Sequence, residues 1–238
     1  MKIILQFLFV LASAGLAWAQ TQIVVPGGLE NVEGNSSVAE PFNSTSFRVQ
    51  QVFDASQFAI PAGMVARIDG ISFRIDGAST EDVVLFFGGS SISLSTTLRG
   101  PDELSPVFVD NRGADATSIY HGGLSLGGVV QPGASPQPFH ETILSFGAGT
   151  FFYDPSRGNL LLEVRGGSGQ AFLPGALDGH SIVGDPISWV YANSESASSG
   201  TAGTFGLVTR FDITVIPEPS AWLLAVMGLG IAAIFKRR

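Results

Sequence analysis

The side chains best suited to chemistry in this 238-residue chain are acids set in polar, turn-forming stretches. Glu81-Asp82 and Asp102-Glu103 are adjacent carboxylates, and two carboxyls held roughly 5–10 Å apart across a sugar bond are the machinery of glycoside hydrolysis. Asp110, Asn111 and Asp115, spaced around Gly113, offer the hard oxygen ligands that Ca²⁺ prefers, although no bidentate Glu follows at EF-hand spacing. These acids define one candidate activity, a Ca²⁺-assisted enzyme acting on polysaccharide. Acids in such settings also simply solvate turns and accept bonds from nearby backbone N–H groups.

Other chemistry is thinly represented. Cysteine is absent, which removes disulfides, thiolate nucleophiles and zinc ribbons. His121, His140 and His180 are far apart and lack any paired metal spacing. No G-x-S-x-G elbow occurs, and Gly88-Gly89-Ser90-Ser91 lacks the second framing glycine. No catalytic set and no required cofactor emerges. Trp189 and Tyr191 alternate along one apolar run and so share a face, the arrangement in which flat rings with polar tips stack on sugars. They are the candidate carbohydrate contact, with burial in the core as the competing role for Trp189.

Charge narrows the partners. Between residues 20 and 216 there are eight arginines, no lysine and 19 acids, a net charge of −11 against −8 for the whole chain. Nucleic acid is excluded on this balance, because phosphate backbones require clustered cations that release counterions.

The elements that must position these residues read as strands. Short apolar runs are divided by Gly, Pro, Asn, Asp and Ser, and no stretch carries helical periodicity. Phe205, Leu207, Phe211, Ile213 and Val215 alternate with Arg210, Asp212 and Thr214, which predicts one buried and one wet face. Ile71, Phe73 and Ile75 alternate likewise with Ser72, Arg74 and Asp76, as do Ile92 and Leu94 with Ser91, Ser93 and Ser95. Denser runs at 83–87, 143–146, 160–164 and 187–191 suit central strands, and 47–53 begins the set. Asp69-Gly70, Asp76-Gly77, Gly88-Gly89, Asn111 to Gly113, Gly166-Gly167 and Asp178-Gly179 are turn signals. Residues 192–203 read as a long, mobile, solvated loop. About nine strands at this spacing predict an all-β, antiparallel two-sheet β-sandwich of jelly-roll type.

The two ends carry a different kind of information. Lys2, an apolar run from Ile3 to Val10 and Ala17-Trp18-Ala19 form a signal peptide over residues 1–19, with cleavage between Ala19 and Gln20 and export through the Sec translocon. At the other end Pro217-Glu218-Pro219-Ser220 precedes 15 uncharged residues, 221–235, and then Lys236-Arg237-Arg238. The prolines end the β-domain in a stiff, accessible segment. As a helix the uncharged run reaches about 22 Å, short of a bilayer core of about 30 Å, with Trp222 and Lys236 extending it at the interfaces. Lys236, Arg237 and Arg238 act as a membrane stop on the cytoplasmic side, leaving the β-domain outside the inner membrane.

In the order and position of these three parts, residues 217–238 resemble the PEP-CTERM sorting signal of Gram-negative bacteria that make exopolysaccharide. The resemblance implies that Pro217-Glu218-Pro219 is recognised by an exosortase, a membrane-embedded cysteine transpeptidase, which cleaves nearby and passes the protein toward the cell surface or matrix. The chain would then be substrate rather than enzyme, a non-catalytic protein associated with exopolysaccharide. A membrane-anchored protein whose tail is never cut is the alternative. The domain itself resembles those often found ahead of such tails, through residues 47–56 (FRVQQVFDAS) and 152–164 (FYDPSRGNLLLEV). That resemblance implies no function. The second motif also has a structural account: Asp154-Pro155-Ser156 opens a turn, Gly158-Asn159 adopts positive φ, and Leu160 to Val164 is a buried strand.

Overall fold

The computed structural model describes residues 20–144, 150–172 and 176–218. The predicted signal peptide, including Ala19, and the tail from Pro219 through Lys236, Arg237 and Arg238 lie outside the described residues, as do positions 145 and 146 of one predicted strand. Within them the chain is all-β, with antiparallel sheets and three short 3-10 turns, Ala55–Gln57, Phe108–Asn111 and Pro155–Arg157. Among the described residues no helix is long and apolar enough to cross a membrane.

Fifteen strands follow in order: β1 (Gln20–Val25), β2 (Ser36–Val38), β3 (Phe47–Phe53), β4 (Met64–Arg74), β5 (Val83–Thr97), β6 (Thr117–Gly128), β7 (Phe139–Leu144), β8 (Phe151–Tyr153), β9 (Asn159–Gly166), β10 (Gly169–Phe172), β11 (Leu177–Ser181), β12 (Ile187–Ala192), β13 (Thr201–Gly203), β14 (Phe205–Leu207) and β15 (Thr209–Pro217). A five-stranded sheet has the order β1-β15-β4-β7, with β8 also on β4. A seven-stranded sheet has the order β10-β5-β9-β3-β12-β13, with β6 on β5. A small third sheet joins β14, β11 and β2.

The two large sheets share one apolar core. Phe53 of β3 meets Phe211 of β15 edge to face at 4.9 Å between ring centroids, and Phe58 bridges Phe211 and Tyr153. Such edge-to-face pairs add to the area they remove from water. The seven-stranded sheet is covered on its other side as well. There Val52, Leu161 and Val190 pack against Leu104 and Phe108 of an overlying loop, a second and smaller core. That is why β3 is buried along its whole length and why Leu160 to Val164 reads as an unbroken apolar run with a single acid in it.

Several expectations are corrected. The 205–215 strand is two strands, broken at Val208, so that β14 joins the small sheet and β15 the five-stranded one. Its polar face is not wet: Asp212 and Thr214 are buried. The register of β15 against β4 shifts between Asp212 and Ile213, and Asp212 accepts from Gln22 Nε2 at 2.8 Å while Thr214 donates to Asp69. Arg74 is also buried, because loop 26–35 and β11 cover it, and Ser72 is buried where its hydroxyl accepts from Arg210. Asp69-Gly70 and Asp178-Gly179 lie inside β4 and β11 rather than in turns. The set begins at β1, an edge strand whose polar Gln-Thr-Gln start hides it, and the Gly- and Ser-rich β6 was likewise not legible.

The 192–203 stretch is not a free loop. Thr201–Gly203 pairs with β12, and the Ala197 carbonyl accepts from Arg48 at 2.7 Å.

Candidate functional site

At one end of the seven-stranded sheet, three separate segments enclose an open cavity of about 550 Å³, a volume typical of small-ligand clefts. The end of β5 contributes Thr96 and Thr97, followed by Leu98, Arg99 and Glu103. The loop around the 108–111 turn adds Asp110, Arg112 and Asp115. The 155–157 turn adds Arg157.

Each segment is held by local chemistry. Asp154 caps its turn by accepting from Ser156 N at 2.9 Å, and the Arg157 N–H closes it on the Asp154 carbonyl at 3.1 Å. Gly158 follows at φ 141°, and a Cβ there would lie 2.6 Å from the Thr97 carbonyl oxygen, so only glycine lets the turn approach β5. Asn159 begins β9 instead of extending the turn, and its Nδ2 donates to the Arg99 carbonyl at 2.9 Å. Two consecutive residues of one motif thereby dock the Arg157 turn on the end of β5 and the Arg99 backbone.

The Arg112 segment is held from beneath. Asn111 is buried; its Nδ2 donates to Gln50 Oε1 at 3.0 Å and to the Ser105 carbonyl at 2.8 Å, and its Oδ1 accepts from Ser105 N at 2.8 Å. Gln50 also donates to Glu163, which accepts from Arg48 at 2.9 Å and Arg165 at 2.8 Å. Arg48 lies over the Phe108 ring at 4.2 Å. Burial works to raise the Glu163 carboxyl, but the bonds and charges of Arg48, Arg165 and Gln50 outweigh it and hold that carboxyl below its usual range. This buried network fixes the floor on which the cavity loop rests. Gly113 seals the fit: a Cβ there would fall on the Thr96 carbonyl.

The charges of the cavity divide into two groups. Its acids are engaged at home: Glu103 accepts from Gly100 N at 3.1 Å, Asp115 from Thr96 N at 2.8 Å, and Asp110 from Ser105 Oγ at 3.1 Å. Its arginines are not. Among the described residues Arg48, Arg67, Arg74 and Arg165 are ion-paired and Arg210 donates to Ser72, whereas no carboxylate lies within ion-pairing distance of Arg99, Arg112 or Arg157. All three are exposed, and Leu98 beside them is 89% exposed. The arrangement can bind anionic groups by charge-assisted hydrogen bonds and hydroxyl groups through spare carboxylate oxygens.

Other predicted site residues are placed as follows. Asp110 and Asp115 reach the cavity, but Asn111 turns inward, so the three do not form a common set of Ca²⁺ ligands. Trp189 is only 4% exposed, with Phe205 and Tyr191 rings at 4.5 and 5.2 Å, which removes it as a sugar platform; Tyr191 is half-buried. Asp82 accepts from Val130 N, and Asp102 accepts from Gly184 N, both at 2.8 Å, as turn acids do. The histidines stand on β6, β7 and β11 and share no metal-ligand cluster among the described residues. Ser90 is buried and donates to the Phe87 carbonyl at 3.1 Å.

Glu33, Asp76 and Asp178 are the acids whose carboxylate oxygens do gather, within 4.8 Å of one another among the described residues. They tie loops together. Glu33 accepts from Gln137 N and Gly77 N, and Asp178 from Gly34 N and Arg74 Nε. Gln20 opens β1, while Pro217 ends β15 opposite Met64 and Glu218 N donates to the Gly63 carbonyl at 3.3 Å. The first two residues of the Pro-Glu-Pro motif are therefore held at the end of the sheet, beside the start of β4, rather than in a free linker.

Sequence reasoning missed Arg99, Arg112 and Arg157 because no local pattern links them. The available signal was compositional: in a domain without lysine, every arginine needs an account. Compared with known proteins, the chain matches no family model, no curated protein and no solved structure.

Proposed function

We propose that this protein is exported through the Sec translocon, held by its tail in the inner membrane of a Gram-negative bacterium, and sorted by an exosortase acting at Pro217-Glu218-Pro219 to the cell surface or extracellular matrix. There its β-domain, a two-sheet sandwich of jelly-roll type, associates with exopolysaccharide without catalysing a reaction. The observation that carries the polysaccharide contact is the 550 Å³ cavity, open to solvent, whose acids are bonded to their own loops and whose three arginines have no carboxylate partner among the described residues. Retention of the purified domain on the producer's own polysaccharide, together with a glycan array, tests the contact; no retention on either rejects it. Sorting is tested by replacing Pro217-Glu218-Pro219 with alanines in the native host and following the mass and location of the mature protein. Unchanged processing rejects exosortase dependence and favours a tail that is never cut.

The same cavity supplies the competing reading, a Ca²⁺-assisted polysaccharide-acting enzyme, because Glu103, Asp110 and Asp115 all line it. Release of reducing ends from the polysaccharide, abolished by chelation of Ca²⁺ and by Glu103→Gln, would favour it. Each of the three acids gives one oxygen to a neighbouring donor and keeps the other for a ligand hydroxyl, so the presence or absence of reducing ends decides between the two readings.

A further inference from the structure

The eight arginines of the domain are distributed unevenly in their partners. Among the described residues four are ion-paired and one is hydrogen-bonded to Ser72, whereas Arg99, Arg112 and Arg157 have no carboxylate partner there. They come from positions 13 and 45 residues apart in sequence, yet all line one cavity. The same cavity carries Glu103, Asp110 and Asp115, so its formal charge is balanced, and in a domain with a net charge of −11 it is a spot where acids do not outnumber arginines. Guanidinium groups bind planar oxyanions through paired N–H donors.

We infer that this cavity binds acidic sugar units of an extended polysaccharide, with Arg99, Arg112 and Arg157 taking the uronate carboxylates. The inference rests on the polysaccharide-contact reading above and names the charge class of its ligand. Three features favour an acidic sugar over other anions. The lining carboxylates accept hydrogen bonds from hydroxyls, which sugars carry beside every carboxylate and which inorganic anions lack. Each uronate also keeps free ring hydroxyls beside its carboxylate for those acids to bond, whereas a DNA backbone carries none between its phosphates. Leu98, 89% exposed at the rim, offers an apolar surface to the C–H face of a sugar ring.

The test uses the full β-domain with polygalacturonate, its carboxyl-reduced product, dextran and a single-stranded polynucleotide as probes, measured by retention and titration at two salt concentrations. Binding is expected to polygalacturonate alone and to weaken as salt rises. Arg99→Gln, Arg112→Gln and Arg157→Gln are each expected to weaken it about 3- to 10-fold, as loss of one charge-assisted contact does, and the triple variant to abolish it. Because the three side chains are exposed, thermal unfolding of the variants reports whether folding is intact. Equal binding of the reduced polymer overturns the uronate inference but leaves the polysaccharide reading standing. Binding to none of these probes overturns the uronate inference, while the polysaccharide reading is decided separately by retention on the producer's own polysaccharide. Equal binding of the polynucleotide, or a triple variant that binds as well as the unaltered domain, reduces the cavity to non-specific anion attraction and overturns the inference.

Discussion

Arginine is used in two opposite ways in this molecule, and the contrast separates structure from candidate function. Arg74 is 1% exposed and spends every direction of its guanidinium inside the protein: Nε donates to Asp178 at 2.6 Å, one terminal nitrogen to the Leu29 carbonyl at 2.9 Å, the other to the Val32 carbonyl at 2.5 Å, with Phe139 against its face. At the cavity, Arg99, Arg112 and Arg157 are exposed and have no carboxylate partner among the described residues, although three carboxylates line the same wall. A buried charge must be satisfied by its own chain. An exposed cation is satisfied by water, which leaves the cavity arginines open to the contact proposed for them.

The largest effect is expected at the closed centre. Arg74→Ala leaves Asp178 buried without its cation and frees the 26–35 loop, and should cost about 3–5 kcal/mol of stability by denaturant unfolding. If the loss is below about 1 kcal/mol, Arg74 is no anchor and the contrast fails.

Next comes the pH dependence of the same centre. Burial pushes the Asp178 carboxyl up to about 6, with Arg74 opposing and Glu33 adding to the rise. The folded state therefore holds this proton more tightly than the unfolded chain, whose carboxyl titrates near about 3.9. The stabilisation is fully present below about pH 3.9 and is lost as pH rises through about 6, an effect of about 2–3 kcal/mol at most. The difference in stability between the unaltered protein and Asp178→Asn should slope across this window and flatten above it; a flat difference throughout contradicts the assignment.

Smaller again is the floor of the cavity. Asn111→Ala strips three hydrogen bonds from a buried site and should cost about 1–3 kcal/mol, while also weakening ligand binding because Arg112 follows directly in the chain. The smallest effect on stability, within about 0.5 kcal/mol, is expected for the exposed cavity arginines replaced by Gln, singly or together. Thermal unfolding checks this, and a marked loss would place them with Arg74 as structural residues.

How much of this was legible in sequence depended on whether local pattern or topology decides. Leu160 to Val164 announced a strand buried on both faces, and Asp154-Pro155-Ser156 announced a turn; both are present because each depends on neighbours in the chain. The polar sides of β4 and β15 were misread because alternation reports only that two faces differ, and here Arg74, Ser72, Asp212 and Thr214 are covered and bonded internally. Trp189 was ambiguous for the same reason, since its neighbour Phe205 comes from another sheet. The cavity was invisible: Glu103 was noticed in an adjacent pair and Asp110 and Asp115 as candidate Ca²⁺ ligands, whereas its distinguishing residues are arginines carried by three segments that only the sheet brings together.

The seat of Pro217 and Glu218 beside the start of β4 has a mechanical consequence. β15 lies between β1 and β4, and the chain leaves the domain from the strand's last rung, where Pro217 faces Met64 and Gln20 begins β1 three residues back, opposite Thr214. Ladder hydrogen bonds run perpendicular to the strands. Tension applied along β15 through the residues that follow it is therefore shared by all rungs in shear, while tension applied across the sheet opens them one at a time from Glu218 inward. The resistance of this strand end thus depends on the direction of pull, with the Glu218 N–H to Gly63 bond the first backbone rung that a peeling force meets.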